Sequence, residues 1–103
     1  GAGYANRYWA VSETCKFLRQ HPDVQVVSTA PYGEYFYTGQ LSHHIVEFPT
    51  AESLRAFLRQ TGGYLVNFYG MPLQVYGYNP DAYTQGLAAV AHFDDATIYQ
   101  IKP

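Results

Sequence analysis

The chain has 103 residues, enough for one domain with a single core. Its formal net charge is -2 with no basic stripe, which excludes nucleic acid as a partner class. Its one cysteine excludes an internal disulfide, and no run reaches the ~20 apolar residues that a membrane span needs.

Charged residues make up 14% of the chain, against roughly 25% in ordinary soluble domains. Aromatic residues make up 17%, with 11 tyrosines, so tyrosine must supply much of the surface. Such a surface belongs either to a tyrosine-rich soluble domain or to one covered by another domain, a subunit or a membrane face. Gly1-Ala2-Gly3 reads as a cloning scar. Residues 4–103 are then expected to form a single α/β domain, an excised piece of a longer chain.

Residues 4–20 read as a helix. Tyr4, Tyr8, Val11, Cys15 and Leu18 make one apolar stripe, and Pro22 follows. Trp9 lies off that stripe and is expected to be exposed. Cys15 lies in it and reads as a small buried hydrophobe rather than a reactive thiol. Residues 24–29 give a first strand rich in valine, broken at Ala30-Pro31-Tyr32-Gly33. A short helical turn over 34–38 and a second strand over 43–48 follow.

Thr50 suits the cap of the next helix, with Glu52 in its first turn and Leu54, Phe57 and Leu58 on its buried face. Gly62-Gly63 stops it. Residues 64–70 then run without a charge between turn signals, as expected of a central strand covered on both faces. Residues 71–78 mix loop signals with alternating Leu73 and Val75. Asn79-Pro80-Asp81 starts a short helix. Residues 87–93 and 97–101 flank Asp94-Asp95-Ala96 as an antiparallel hairpin, with a longer helix to Ala91 as the competing reading. The expected fold is a small three-layer α/β domain. Its mixed sheet has the first three strands parallel, a closing hairpin and helices on both faces.

Little in this order carries catalytic chemistry. His43 and His44 are neighbours on a strand and point to opposite faces, so they do not share an ion. No cysteine or histidine pair has zinc spacing, and neither a metal nor a cofactor is expected. The turn after the first strand, Ser28-Thr29-Ala30-Pro31-Tyr32-Gly33-Glu34, lacks the glycine pattern and lysine of a nucleotide loop. No nucleophile elbow is present, and no catalytic residue is assigned.

Asn67 is the polar member of the central run and needs a partner once buried. It serves either as a structural hydrogen bond or as part of a ligand edge. In open α/β sheets, ligands bind at the carboxyl ends of the strands. The candidate surface there comprises Ser28, Thr29, Tyr32, Glu34, Tyr35, Asn67, Tyr76 and Tyr78. A free-standing domain of this kind would bind a ligand, or act as an enzyme, at the Ser28/Asn67 edge.

Several stretches together carry a family resemblance. They are Gln20-His21-Pro22, the strand Val24-Gln25-Val26-Val27-Ser28, the turn Tyr35-Phe36-Tyr37-Thr38-Gly39-Gln40, Tyr64-Leu65-Val66, and the closing Phe93-Asp94-Asp95-Ala96-Thr97-Ile98-Tyr99-Gln100-Ile101. Across most of residues 5–103, this pattern resembles the soluble, extracytoplasmic C-terminal domain of polytopic membrane glycosyltransferases. These are mannosyl-, arabinosyl- and aminoarabinosyl-type enzymes that use polyprenyl-phosphate sugars. The resemblance implies an accessory or interaction domain that shapes acceptor access and is not catalytic alone. It implies an extracytoplasmic location on an integral membrane protein. Its partners would be the transmembrane portion of the parent protein and a glycan or lipid-linked acceptor. The family's catalytic acids lie in loops between membrane helices, and no position here corresponds to them.

Overall fold

The computed structural model describes residues 12–31 and 42–103. The first helix among the described residues, α1, spans Glu13–Arg19. Ser12 is extended, with φ -65° and ψ 119°, and its hydroxyl accepts the Cys15 N–H at 3.1 Å. A serine there satisfies a first-turn donor that has no helical partner, which makes it a start rather than a helix interior. The expected single helix over 4–20 is therefore corrected: α1 begins after Ser12. Tyr4, Tyr8, Trp9 and Val11 lie outside the described residues. Cys15 and Leu18 are fully buried.

Strand β1 spans Val26–Ser28 and is buried throughout. Strand β2 is only His43–His44, and Ile45–Glu47 form a 3-10 turn. The strand expected over 43–48 stops at His44 for a local reason. The Glu47 carboxylate accepts the His44 N–H at 2.7 Å and meets the His43 ring at 3.1 Å, which curls the chain back on itself.

Helix α2 spans Ala51–Thr61. Thr50 caps it by accepting the Ser53 N–H at 3.1 Å, and Ser53 reaches back towards the Thr50 N–H at 3.4 Å. Gly62 closes it in the left-handed region at φ 67°, where glycine has no Cβ penalty. Gly63 is constrained differently. A Cβ there would lie 2.5 Å from the Gln25 carbonyl oxygen, the same oxygen that takes the Tyr64 N–H at 2.9 Å. Only glycine lets the chain enter the next strand so close to β1.

That strand, β3, spans Tyr64–Phe68. A 3-10 turn covers Leu73–Tyr76, and helix α3 spans Pro80–Thr84 with Asn79 as its cap. The competing helix to Ala91 does not form, because the chain turns at Gly86, φ 79°. Strands β4, Leu87–His92, and β5, Ala96–Ile101, make the hairpin.

The five strands lie in the order β2-β1-β3-β5-β4. β1 pairs in parallel with both β2 and β3, while β5 pairs antiparallel with β3 and β4. β3 is thus central, as its uncharged sequence leads one to expect. The expected covered run over 64–70 is corrected, however: the strand stops at Phe68, and Tyr69 and Gly70 are exposed. Alternation divides its side chains between two cores. Leu65 joins Val27, Leu54, Leu58, Leu73 and Tyr83 under α2 and α3. Tyr64, Val66 and Phe68 join Leu18, Val26 and Ile98 under α1. Each fully buried leucine contributes about 2 kcal/mol of transfer free energy, so both faces stabilise the sheet.

Candidate functional site

The carboxyl ends of β1 and β3 bring Ser28, Thr29, Asn67 and Tyr76 together. Ser28 and Thr29 are fully buried. Ser28 Oγ accepts the Ala30 N–H at 3.0 Å. Thr29 Oγ1 accepts the Phe68 N–H at 2.9 Å, just where the β1–β3 ladder ends. The Tyr76 hydroxyl donates to the Thr29 carbonyl, while its ring meets His44 edge-on at 5.1 Å. Asn67 is half-buried, less covered than its apolar neighbours, and its Oδ1 accepts the Leu73 N–H at 3.1 Å. That bond folds the chain after β3 back over the strand end.

Tyr78 sits beside Tyr76, with ring centroids 6.5 Å apart. It stacks more closely on Tyr83 at 4.5 Å, and Tyr83 donates its hydroxyl to the Phe48 carbonyl at 2.8 Å. The tyrosines thus run as a ladder from the end of β1 to α3. Tyr32, Glu34 and Tyr35, the remaining sequence candidates, lie outside the described residues.

These bonds give Ser28, Thr29, Asn67 and Tyr76 structural work. Each stabilises a chain reversal or a strand end at the position where a ligand edge was expected. Among the described residues, no nucleophile, base and orienting acid come together at this edge. Among the described residues, no group of three His, Cys, Asp or Glu side chains comes together to hold a metal ion.

Two polar clusters were not legible in the sequence. In the first, Thr97 Oγ1 lies 2.6 Å from the Tyr69 hydroxyl and 3.2 Å from His92 Nδ1. It joins β4, β5 and the residue just after β3, and a periodicity argument within one strand does not find it. Among the described residues, no carboxylate bonds the His92 ring, so it lacks the orienting acid of a hydrolase relay. In the second, the Asp95 carboxylate receives the hydroxyls of Ser12 and Thr14 and so ties the hairpin to α1. Asp94-Asp95 reads as a plain turn, and only the fold reveals the partners.

The chain after β3 has a distinctive surface. Leu73 is fully buried and fixes it to the core, yet Tyr69, Met71 and Val75 are 49%, 42% and 59% exposed. Val75 N–H and Gly77 N–H are both bonded within the turn, at 3.0 Å each. These apolar side chains are therefore displayed on an anchored segment.

Comparison with protein-family models, curated proteins and solved structures finds no match to this chain.

Proposed function

We propose that this domain is a non-catalytic interaction module of a membrane-bound glycosyltransferase, carried on the extracytoplasmic face and packed against the transmembrane portion of its parent. One observation carries the reading. The segment after β3 is pinned by Leu73 and by the Asn67–Leu73 bond while it presents Tyr69, Met71 and Val75 to solvent. Exposed apolar side chains on an anchored segment mark a contact surface. The low charge content of 14% and the sequence resemblance supply the kind of partner. The same surface would border the path of a glycan or lipid-linked acceptor. The structural use of Ser28, Thr29 and Asn67 makes a separate ligand-binding protein the weaker reading.

The test replaces Met71 and Val75 with serine in the full-length protein. Exposed substitutions of this kind change stability by no more than about 0.5 kcal/mol. The domain should keep its fold, and assembly with the membrane portion or sugar transfer should fall. Unchanged transfer with a folded domain sinks the proposal, as does an upstream reading frame without hydrophobic spans.

A further inference from the structure

Strand β4 ends the sheet, and its outer edge pairs with no strand among the described residues. Its ladder to β5 fixes which backbone groups face outwards. Lys102 donates its N–H to the Gly86 carbonyl at 3.0 Å, and Phe93 donates to the Ala96 carbonyl at 2.9 Å. Gly86 and Phe93 therefore turn towards β5. Antiparallel pairs alternate between bonded and non-bonded residues. Ala88 thus turns inwards, while Leu87, Ala89 and His92 present their N–H and C=O groups outwards. A bulge between Ala89 and Ala91 absorbs the extra residue.

Proteins blunt such edges with charge, proline, shortness or a bulge. The opposite edge, β2, is blunted by its length of two residues. β4 is six residues long, and residues 87–91 hold no charge and no proline. Val90 is 45% exposed on it. Only the bulge interrupts the edge, and it leaves the stretch from Leu87 to Ala89 regular.

Charges at the two ends of β4 specify the partner. At the first end, the Arg55 guanidinium donates to the Ala82 and Gln85 carbonyls at 3.1 and 3.5 Å. A Cβ on Gly86 would lie 3.6 Å from Arg55 Cδ, and Lys102 is bonded to that same glycine. Asp81 lies further back, in the first turn of α3. At the other end Asp94 is exposed in the hairpin turn. β4 therefore runs from a basic end to an acidic one.

We infer that β4 pairs antiparallel with β4 of a second copy of this chain, about a two-fold axis at Ala88. Leu87 of each copy exchanges backbone hydrogen bonds with Ala89 of the other. The basic end of each strand lies towards Asp94 of the second copy. A parallel arrangement would set like ends together. On the two-fold axis Ala88 meets Ala88, where a charge would face its like, and residues 87–91 carry none. The pairing does not depend on the membrane reading.

Sedimentation velocity and amide hydrogen exchange on the 103-residue chain test it. The useful range runs from about 10 µM to about 1 mM, which spans weak transient association. The mass should double as concentration rises. The Leu87 and Ala89 amides, outward in the monomer, should slow by about tenfold or more, while the Ala88 amide, already bonded to β5, changes little. Ala89→Pro removes an outward N–H without touching the ladder to β5, and should give a monomer with unchanged circular dichroism. Asp94→Lys sets like charges together and should weaken pairing by about tenfold with the backbone intact. A monomer across the whole range overturns the inference. So does a dimer in which the Leu87 and Ala89 amides stay fast, or one that Asp94→Lys does not weaken.

Discussion

Thr14 donates its hydroxyl to the Asp95 carboxylate at 2.6 Å, across 81 positions of sequence. Ser12, the cap of α1, donates to the same carboxylate. One side chain in the hairpin turn therefore fixes both the position and the start of α1. Its main chain contributes as well, since the Asp95 carbonyl accepts the Tyr69 N–H at 2.9 Å.

Replacing Asp95 with alanine should be costly. Thr14 is fully buried, so its hydroxyl would lose its acceptor inside the fold. Hydrogen bonds to a charged group contribute about 1.5–3 kcal/mol, and an unsatisfied buried donor adds to the loss. Chemical denaturation of Asp95→Ala should show a fall of about 2–4 kcal/mol. A change under about 0.5 kcal/mol would mean the contact carries little stability.

Glycines 63 and 70 should respond in opposite ways to alanine. At Gly63 the added methyl meets the Gln25 carbonyl at 2.5 Å, and backbone must move just ahead of β1 or β3. Overpacking of this kind costs about 1–3 kcal/mol. Gly70 has nothing within 4 Å and is not in the left-handed region. Gly70→Ala should be neutral or stabilise by up to about 1 kcal/mol, through a less flexible unfolded chain. Thermal melts of the two variants side by side decide the point.

Much of the fold was legible in local chemistry. Thr50 and Gly62 mark both ends of α2, and the uncharged run at 64–70 marks the central strand, which ends at Phe68. Two misreadings share one cause, side-chain competition for backbone donors. Ser12 sits in an apolar stripe of helical spacing, so periodicity carried the expected helix straight through it. Glu47 sits in an apparent strand, but its carboxylate captures the His44 N–H. At the candidate edge, the buried-amide rule announced that Asn67 needed a partner. It gave no means of choosing Leu73 over a ligand, because the partner depends on how the following loop folds back.

Thr29→Val tests the structural role of that edge. Valine keeps the shape of threonine and removes the oxygen that accepts the Phe68 N–H at 2.9 Å. A buried N–H left without its acceptor costs about 1–3 kcal/mol. Denaturation should shift by that amount, and the Phe68 amide should exchange faster. A variant as stable as the parent chain, with Phe68 still protected, would remove Thr29 from the structural set.

At low pH, Glu47 should matter. The hydrogen bond from His43 holds its carboxyl below the usual carboxylate value, burial opposes that shift, and the His44 N–H reinforces it. A lowered folded-state pKa means stability that is present above the unfolded value and lost as pH falls through the folded one. Solvent screens this exposed pair, so the effect should be small. Glu47→Gln should therefore lose part of the dependence of melting temperature on pH below about 4.5. An acid limb identical to that of the parent chain would remove Glu47 from the account.

The alkaline limb should belong to buried tyrosines. Burial pushes the Tyr83 phenol above its ordinary value, with Tyr78 adding to the shift. Burial does the same for Tyr99, helped by Tyr69. A raised folded-state pKa reverses the sign of the Glu47 case. The unfolded chain releases these protons first, so the stability they confer is present below the unfolded value of about 10 and is lost as pH rises through the folded one. Melting temperature should therefore fall above about pH 10. Tyr83→Phe separates the hydroxyl from the ring. It keeps the stack on Tyr78 and removes the bond to the Phe48 carbonyl, 2.8 Å away. At neutral pH the variant should lose about 1 kcal/mol. Above pH 10 its stability should fall less steeply than that of the parent chain, because one buried phenol no longer ionises on unfolding. Parallel alkaline limbs for the two proteins would show that Tyr83 does not carry the transition.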